Sequence, residues 1–339
     1  MSELDRRKQQ HIELCLKKEN HTSKPNGFEK YDFEHCSLPE IDFNDIDIST
    51  QFCGKQLNCP IIISSITGGC TRGEEINHKL AGIAQKYKIG FAVGSQRAAI
   101  ADKSLEHTFQ VRKFAPDILL LANLGAVQLN YGFGIDECQR AIDMIEADAL
   151  ILHLNPLQEV FQPEGNTNFS GLLKKIENIC KKLTVPVIIK EVGYGISAPV
   201  AEKLFEAGVY AIDVNGSGTI SWCNVEAQRC NDYKRMRAAS VFKNWGLTTA
   251  ESLTKIYQNY KSSSLIAGGG IKTGLDIAKA IALGASVCSN ATDFFEAILQ
   301  SEQNAIDLID ALIFELKTTM FCVGAKDIQA LKNTRINII

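Results

Sequence analysis

From residue 60 onward, short apolar runs alternate with stretches whose apolar residues recur at helical spacing. The runs occupy residues 61–66, 91–94, 118–124, 149–155, 185–192, 211–215, 264–268 and 286–289. They are rich in Ile, Val and Leu with little polar alternation, as strands buried on both faces should be. Between the first two runs Ile76, Leu80, Ile83, Ala84 and Tyr87 share one helical face; between the last two Leu275, Ala278, Ile281 and Ala282 do the same. Repeated strand–helix units favour parallel strands joined by crossover helices. Eight such units predict an α/β fold closed into a (β/α)₈ TIM barrel, since an open doubly wound sheet would need an edge strand and usually has fewer units.

Two segments fall outside this rhythm. Residues 1–59 are polar and irregular and read as an N-terminal extension. A long loop insertion after strand six runs from about residue 216 to 245. The division predicted is one domain over 1–339, with the extension at 1–59, the barrel at 60–320 and a C-terminal segment at 321–339. Long excursions on a barrel commonly carry active-site groups.

Composition narrows the class. With 45% hydrophobic and 22% charged residues in 339, the chain is an ordinary globular one with a large core. A formal net charge of -3 argues against a broad nucleic-acid or membrane surface. The first twenty residues are charged throughout without an apolar h-region, and no apolar stretch approaches bilayer length. The 11 cysteines are scattered with no CxxC pair, which fits free thiols in a reducing cytoplasm. A cytoplasmic location is expected.

Barrel enzymes place their reactive groups at the C-terminal ends of the strands. Those ends are rich in polar residues here: Thr67, Gly68 and Gly69 after strand one, Ser95, Gln96 and Arg97 after strand two, Asn123 on strand three, His153, Asn155, Gln158 and Glu159 after strand four, Lys190 and Glu191 on strand five, Asp213 and Asn215 on strand six, and Gly268, Gly269 and Gly270 after strand seven. The glycine run reads either as a tight turn or as a phosphate cradle, and its place after strand seven favours the cradle. Lys190 sits inside the apolar string VPVIIKEVG and needs an anion, either Glu191 or Asp213 as a structural partner or the N1/O2 edge of a reduced flavin. His153 and Asn155 read equally well as satisfied strand-end polar groups. Glu159, a lone carboxylate near a phosphate loop, suits Mg²⁺. Arg7, Lys8 and Arg97 could meet phosphate oxygens, although basic residues near a terminus are commonly just solvated.

An ordered series of strings carries a resemblance: RRKQQHI at 6–12, SSITGG at 64–69, GSQR at 94–97, NLGA at 123–126, HLNPLQE at 153–159, KEVGYG at 190–195, DVNGSG at 213–218, WGLTT at 245–249, AGGGIKTGLDIAKAIALGA at 267–285 and MFCVGAKDI at 320–328. Together they resemble the type 2, FMN-dependent isopentenyl diphosphate isomerases of isoprenoid biosynthesis. The resemblance implies diphosphate contacts from Arg7, Lys8, Ser95 and Arg97, with Gln158 against the reacting hydrocarbon and Mg²⁺ on Glu159. It implies FMN contacts from Ile66, Thr67, Gly68, Ser95, Asn123 and Lys190, and an FMN phosphate at Gly269, Gly270, Ala291 and Thr292. Gln158 and His153 are the candidate catalytic residues, the first as an orienting group and the second as a tuning one. Reduced FMN as acid–base catalyst, NADPH as its reductant and a homo-oligomer, tetrameric or octameric, follow from the same resemblance.

Two departures stand out. Thr219 replaces a glycine and Ile220 a flavin-contacting threonine. Ser289 replaces a glycine, and Thr292-Asp293 replaces an Arg-Pro pair, setting a carboxylate near the flavin phosphate. The rival readings are an FMN-dependent 2-hydroxy acid oxidase and a catalytically silent flavin- or phosphate-binding barrel. The oxidase wants a His–Arg pair on the late strands, yet all six histidines precede residue 154.

Overall fold

Eight parallel strands close on themselves in sequence order, each hydrogen-bonded to the next and the last to the first. They are β1 Ile61–Ile63, β2 Gly90–Ala92, β3 Leu120–Gly125, β4 Ala149–Leu154, β5 Val187–Glu191, β6 Ala211–Asp213, β7 Ser264–Gly268 and β8 Val287–Asn290. This computed structural model describes residues 10–230 and 232–339. The strands fall where the apolar runs predict them, but β1, β2 and β6 stop two or three residues early. The last polar residues of the first and sixth runs are loop residues of the barrel mouth.

The continuous apolar runs resolve into two faces. Ile61, Ile63, Phe91, Leu120, Leu150, Leu152, Val187, Ile189, Ile212, Leu265 and Cys288 point outward into the cluster shared with the helices. Ile62, Ala92, Leu121, Ile151, Ile188, Ala211, Ile266 and Val287 fill the barrel interior. Because side chains alternate with period two, the next inward position on each strand is two residues on. Those positions are Ser64, Gly94, Asn123, His153, Lys190, Asp213, Gly268 and Ser289. A dry apolar layer thus underlies a polar one.

The N-terminal extension is more ordered than its composition suggests. Thr50–Phe52 and Lys55–Leu57 form a hairpin whose Phe52 and Leu57 join the interior cluster and close the bottom of the barrel. Tyr31–Phe33 pairs antiparallel with Ile336–Ile338 near the opposite end of the chain. The insertion after β6 is also not a plain loop. It carries two helices, Trp222–Cys230 and Tyr233–Phe242, the second capped by Asp232, whose carboxylate accepts from the N–H groups of Lys234 and Arg235. Their apolar residues Cys223, Ala227 and Ala239 pack against Phe161 in a cluster too small to register as a strand–helix unit in sequence.

Helix Thr71–Tyr87 buries Ile76, Leu80, Ile83 and Ala84 as predicted. The helical face read at 275–282 is only partly right. Leu275 is 42% exposed, whereas Ile277 is buried. That helix, Gly274–Ala282, packs against both the barrel and helix Glu302–Cys322, so its burial does not follow one stripe. Among the described residues no helix is long and apolar enough to cross a membrane.

Phe52→Ala should lower unfolding stability by about 3–5 kcal/mol, because it opens a hole beneath the barrel. Urea denaturation checks this; a change under about 1 kcal/mol would mean that the hairpin is not part of the core.

Candidate active site

The polar layer is internally paired. Lys190 Nζ lies 3.2 Å from Asp213 Oδ2 and donates to the Glu191 carbonyl at 3.1 Å. Asp213, rather than the Glu191 carboxylate, is therefore its anionic partner. Glu191 turns away and accepts from the backbone N–H groups of Val192, Gly193 and Tyr194 at 2.7, 2.8 and 2.6 Å. Burial pushes its carboxyl up to about 7, against the pull of those three donors and of Lys190. Ser289 Oγ donates to the same Asp213 oxygen as Lys190, at 3.0 Å. Across the mouth, Asn123 Nδ2 donates to Ser65 Oγ at 2.6 Å, and Asn123 Oδ1 lies 2.8 Å from His153 Nδ1. That contact helps to fix the imidazole.

One rim is a glycine turn that leaves room for a ligand's phosphate. Gly269 and Gly270 have φ of +93° and +72°, and a Cβ on Gly269 would lie 2.2 Å from the Gly216 carbonyl oxygen. Only glycine therefore fits this turn. Thr249 Oγ1 secures it from behind by donating to the Gly268 carbonyl at 3.0 Å, and Asn26 Nδ2 donates to the Gly270 carbonyl at 2.6 Å. Beside it Ala291 and Thr292 begin helix Thr292–Gln300. Asp293 does not aim its charge into the cradle. Its carboxylate accepts from Asn290 Nδ2 at 2.7 Å while its N–H donates to Asn290 Oδ1, and burial pushes its carboxyl above the usual range. Thr67 Oγ1 is buried without a hydrogen-bond partner among the described residues. A glycine cradle, a buried cation and an orphaned hydroxyl around one cleft fit a phosphorylated flavin.

The other rim holds the carboxylates. Glu159 Oε1 accepts from Asn155 Nδ2 at 2.9 Å and Oε2 from the Asn166 N–H at 2.6 Å. Both donors are neutral, so each oxygen keeps a lone pair and the charge has no cationic partner among the described residues. Among the described residues no group of three His, Cys, Asp or Glu side chains forms a closed metal site. One free carboxylate in a cleft fits Mg²⁺, which takes few protein oxygens and completes its shell with phosphate and water.

Glu226, on the first insertion helix, is fully buried and was invisible in the sequence. It accepts from Gln158 Nε2 at 2.8 Å, lies 2.9 Å from His11 Nε2 and pairs with Arg229. Burial alone would raise its carboxyl, but His11, Arg229 and Gln158 together hold it at about 2. His11 also sets its ring edge-on to Trp222, with centroids 5.3 Å apart. The string RRKQQHI contains His11, but no spacing links it to Glu226, 215 residues later.

Thirteen of the sixteen candidate catalytic and binding residues line one cleft: Ile66, Thr67, Ser95, Arg97, Asn123, His153, Gln158, Glu159, Lys190, Gly269, Gly270, Ala291 and Thr292. Thr219, Ile220 and Ser289 line it too. Gly68 does not; a Cβ there would lie 2.1 Å from the Phe109 ring, so packing explains its glycine. Arg7 and Lys8 lie outside the described residues.

The comparisons with known proteins agree with this geometry. Residues 155–338 match the family model described as FMN-dependent dehydrogenase. An isopentenyl-diphosphate delta-isomerase of Nostoc sp. is 51% identical over 97% of this chain and 94% of its own length. Those of Synechococcus sp. and Rickettsia canadensis are 49% and 48% identical, each over 98% of this chain and 95% and 97% of their own. Among solved structures, a putative lactate oxidase of Pediococcus acidilactici superposes with a TM-score of 0.69 at 16% identity, covering 99% of this chain and 94% of its own. A mandelate oxidase variant gives 0.68 at 16% identity, covering 99% of both chains. Both share the fold.

The low Glu226 value has a consequence for stability. An unfolded carboxyl titrates near 4.5, so the stabilisation is present above that value and is lost as the pH falls towards 2, where the unfolded chain takes up its proton first. Glu226→Gln should cost about 1–3 kcal/mol at neutral pH, because Arg229 keeps Glu164 but loses its buried partner and His11 loses the carboxylate beside it. In denaturant titrations the gap from the parent should shrink across that acid window. A constant gap would show that the neighbours do not hold the charge.

Proposed function

The chain belongs to the FMN-dependent isopentenyl-diphosphate delta-isomerases, and from that membership we propose how its cleft moves the double bond of isopentenyl diphosphate to give dimethylallyl diphosphate. The reading is carried by one observation: residues from the ends of most of the strands line a single cleft, with a glycine cradle on one rim and an uncompensated carboxylate on the other. The reaction adds a proton to the terminal alkene carbon and removes one from the carbon beyond the branch, with no net redox change. When bound, reduced FMN supplies an electron-rich ring that can exchange a proton and stabilise positive charge in the substrate, and NADPH is the proposed reductant.

The chain's own groups do the holding. Gly269, Gly270, Ala291 and Thr292 would take the FMN phosphate, while Thr67, Ser95 and Asn123 would meet the rest of the flavin. Lys190 is ion-paired with Asp213 and donates one N–H to the Glu191 carbonyl, which leaves donor capacity for an anion in the cleft. Placed there, it would stabilise the anionic reduced flavin. Glu159 would hold Mg²⁺, and Ser95 and Arg97, together with Arg7 and Lys8, the diphosphate oxygens.

Gln158 has no useful acidity, so its part is orientation. Its two ends are committed to Glu226 and Asn155, which fixes the plane of the amide beside the hydrocarbon. His153, fixed by Asn123, is available to tune the same wall. The 2-hydroxy acid oxidase reading lacks its imidazole, because β5 to β8 and their loops contain no histidine. A homo-oligomer in the cytoplasm completes the proposal. It is supported by the sequence resemblance and by the free state of all 11 cysteines.

Protein supplied with FMN should turn over isopentenyl diphosphate only after the flavin is reduced by dithionite or NADPH. Equal turnover by flavin-free protein would overturn the reading. Glu159→Gln keeps size and one acceptor but removes the charge that makes dehydration of the metal favourable. It should raise the Mg²⁺ requirement and the substrate KM together, by about tenfold or more, with FMN affinity unchanged. Identical Mg²⁺ activation curves for variant and parent would return Glu159 to a structural role.

A further inference from the structure

Ser289 reaches Asp213 across an intervening strand. Asp213 stands on β6 and Ser289 on β8, with Gly268 of β7 between them. A Cβ on Gly268 would lie 2.4 Å from Asp213 Oδ1 and 2.5 Å from Ser289 Oγ, so the bond exists only because that strand has no side chain there. Asp213 Oδ2 then meets two groups, the Lys190 ammonium as an ion pair at 3.2 Å and the Ser289 hydroxyl as a donor at 3.0 Å. Oδ1 receives the Asn215 N–H at 3.2 Å. Lys190, Asp213 and Ser289 are all buried, with 6%, 2% and 3% of their surface exposed, so little water competes for these bonds.

We propose that Ser289 is a positioning residue that sets how much of the Lys190 charge is available to the flavin. The inference rests on the FMN reading above. A hydroxyl donating to Asp213 disperses its negative charge and competes with the ammonium for the same oxygen. Both effects leave Lys190 freer to face an anion in the cleft. Without the hydroxyl, Asp213 draws Lys190 closer and also presents more negative charge to the reduced ring, so both changes disfavour the anionic reduced form.

The test is the reduction potential of bound FMN, with dissociation constants for oxidised and reduced FMN, in the parent, Ser289→Ala and Ser289→Thr. In the alanine variant the preference for reduced over oxidised FMN should fall about tenfold, a drop of about 30 mV for this two-electron couple. The threonine variant keeps the donor and should match the parent. An unchanged potential in Ser289→Ala overturns the proposal, and so does an equal fall in Ser289→Thr, which would trace the effect to packing. A parent that binds no FMN would overturn the cofactor reading along with it.

Discussion

Strand alternation gives each unit of the barrel one inward position at the level of the mouth, and the chemistry of this molecule depends on what stands in that row. Below it the inward residues are apolar and outside it the strands meet helices, so polar groups have nowhere else to converge. A slip of one residue in β5 would turn Lys190 into the helix layer and Ile189 into the mouth. Closure prevents the slip, because every strand is paired on both sides. The bottom is sealed by Phe52 and Leu57, so a ligand can enter only past the polar row.

Desolvation forces that row to be paired, and the pairing decides which charges remain to act. Asp213 is taken up by Lys190 and Ser289, Glu226 by Arg229 and His11, and Glu191 by three backbone donors. These carboxylates lie in similar burial but differ in their neighbours: burial and neutral donors leave Glu191 near 7, whereas cations hold Glu226 near 2. Glu159 alone among them meets only neutral donors while lining the cleft. Its charge is therefore the one that supports the Mg²⁺ reading.

What was legible in the sequence followed from periodicity and strand ends. Long apolar strands announce themselves, and a polar residue closing such a strand, like Lys190 or Asn123, stands out because the run around it is apolar. The hairpin at 50–57 did not stand out, since two three-residue strands bury just Phe52 and Leu57 in the barrel interior. Glu226 was illegible for another reason. It sits mid-helix between Val225 and Ala227 in a short helix of mixed character, and its partners are His11, Gln158 and Arg229, two of them distant in sequence. The Glu191 and Asp213 alternatives for Lys190 could not be separated by composition either. They differ in whether the side chain follows the strand inward or turns back to the next three N–H groups.

The departure at Ile220 becomes intelligible from the way the extension meets the insertion. Residues 219 and 220 are held through their backbone: the Thr22 N–H donates to the Thr219 carbonyl at 2.8 Å, and His21 and Ile220 form an antiparallel bridge. Nearby, the Ser221 N–H donates to the Asn20 carbonyl at 2.8 Å, and Asn20 Nδ2 reaches Gln228 on the first insertion helix. A segment anchored in this way does not need a side-chain hydroxyl to keep its path past the cleft. Isoleucine at 220 therefore lines the cleft without a polar group, on a segment held by its backbone. On the proposed reading, polar contact to the flavin falls to groups that the barrel itself fixes: Thr67, whose hydroxyl has no partner among the described residues, and Lys190.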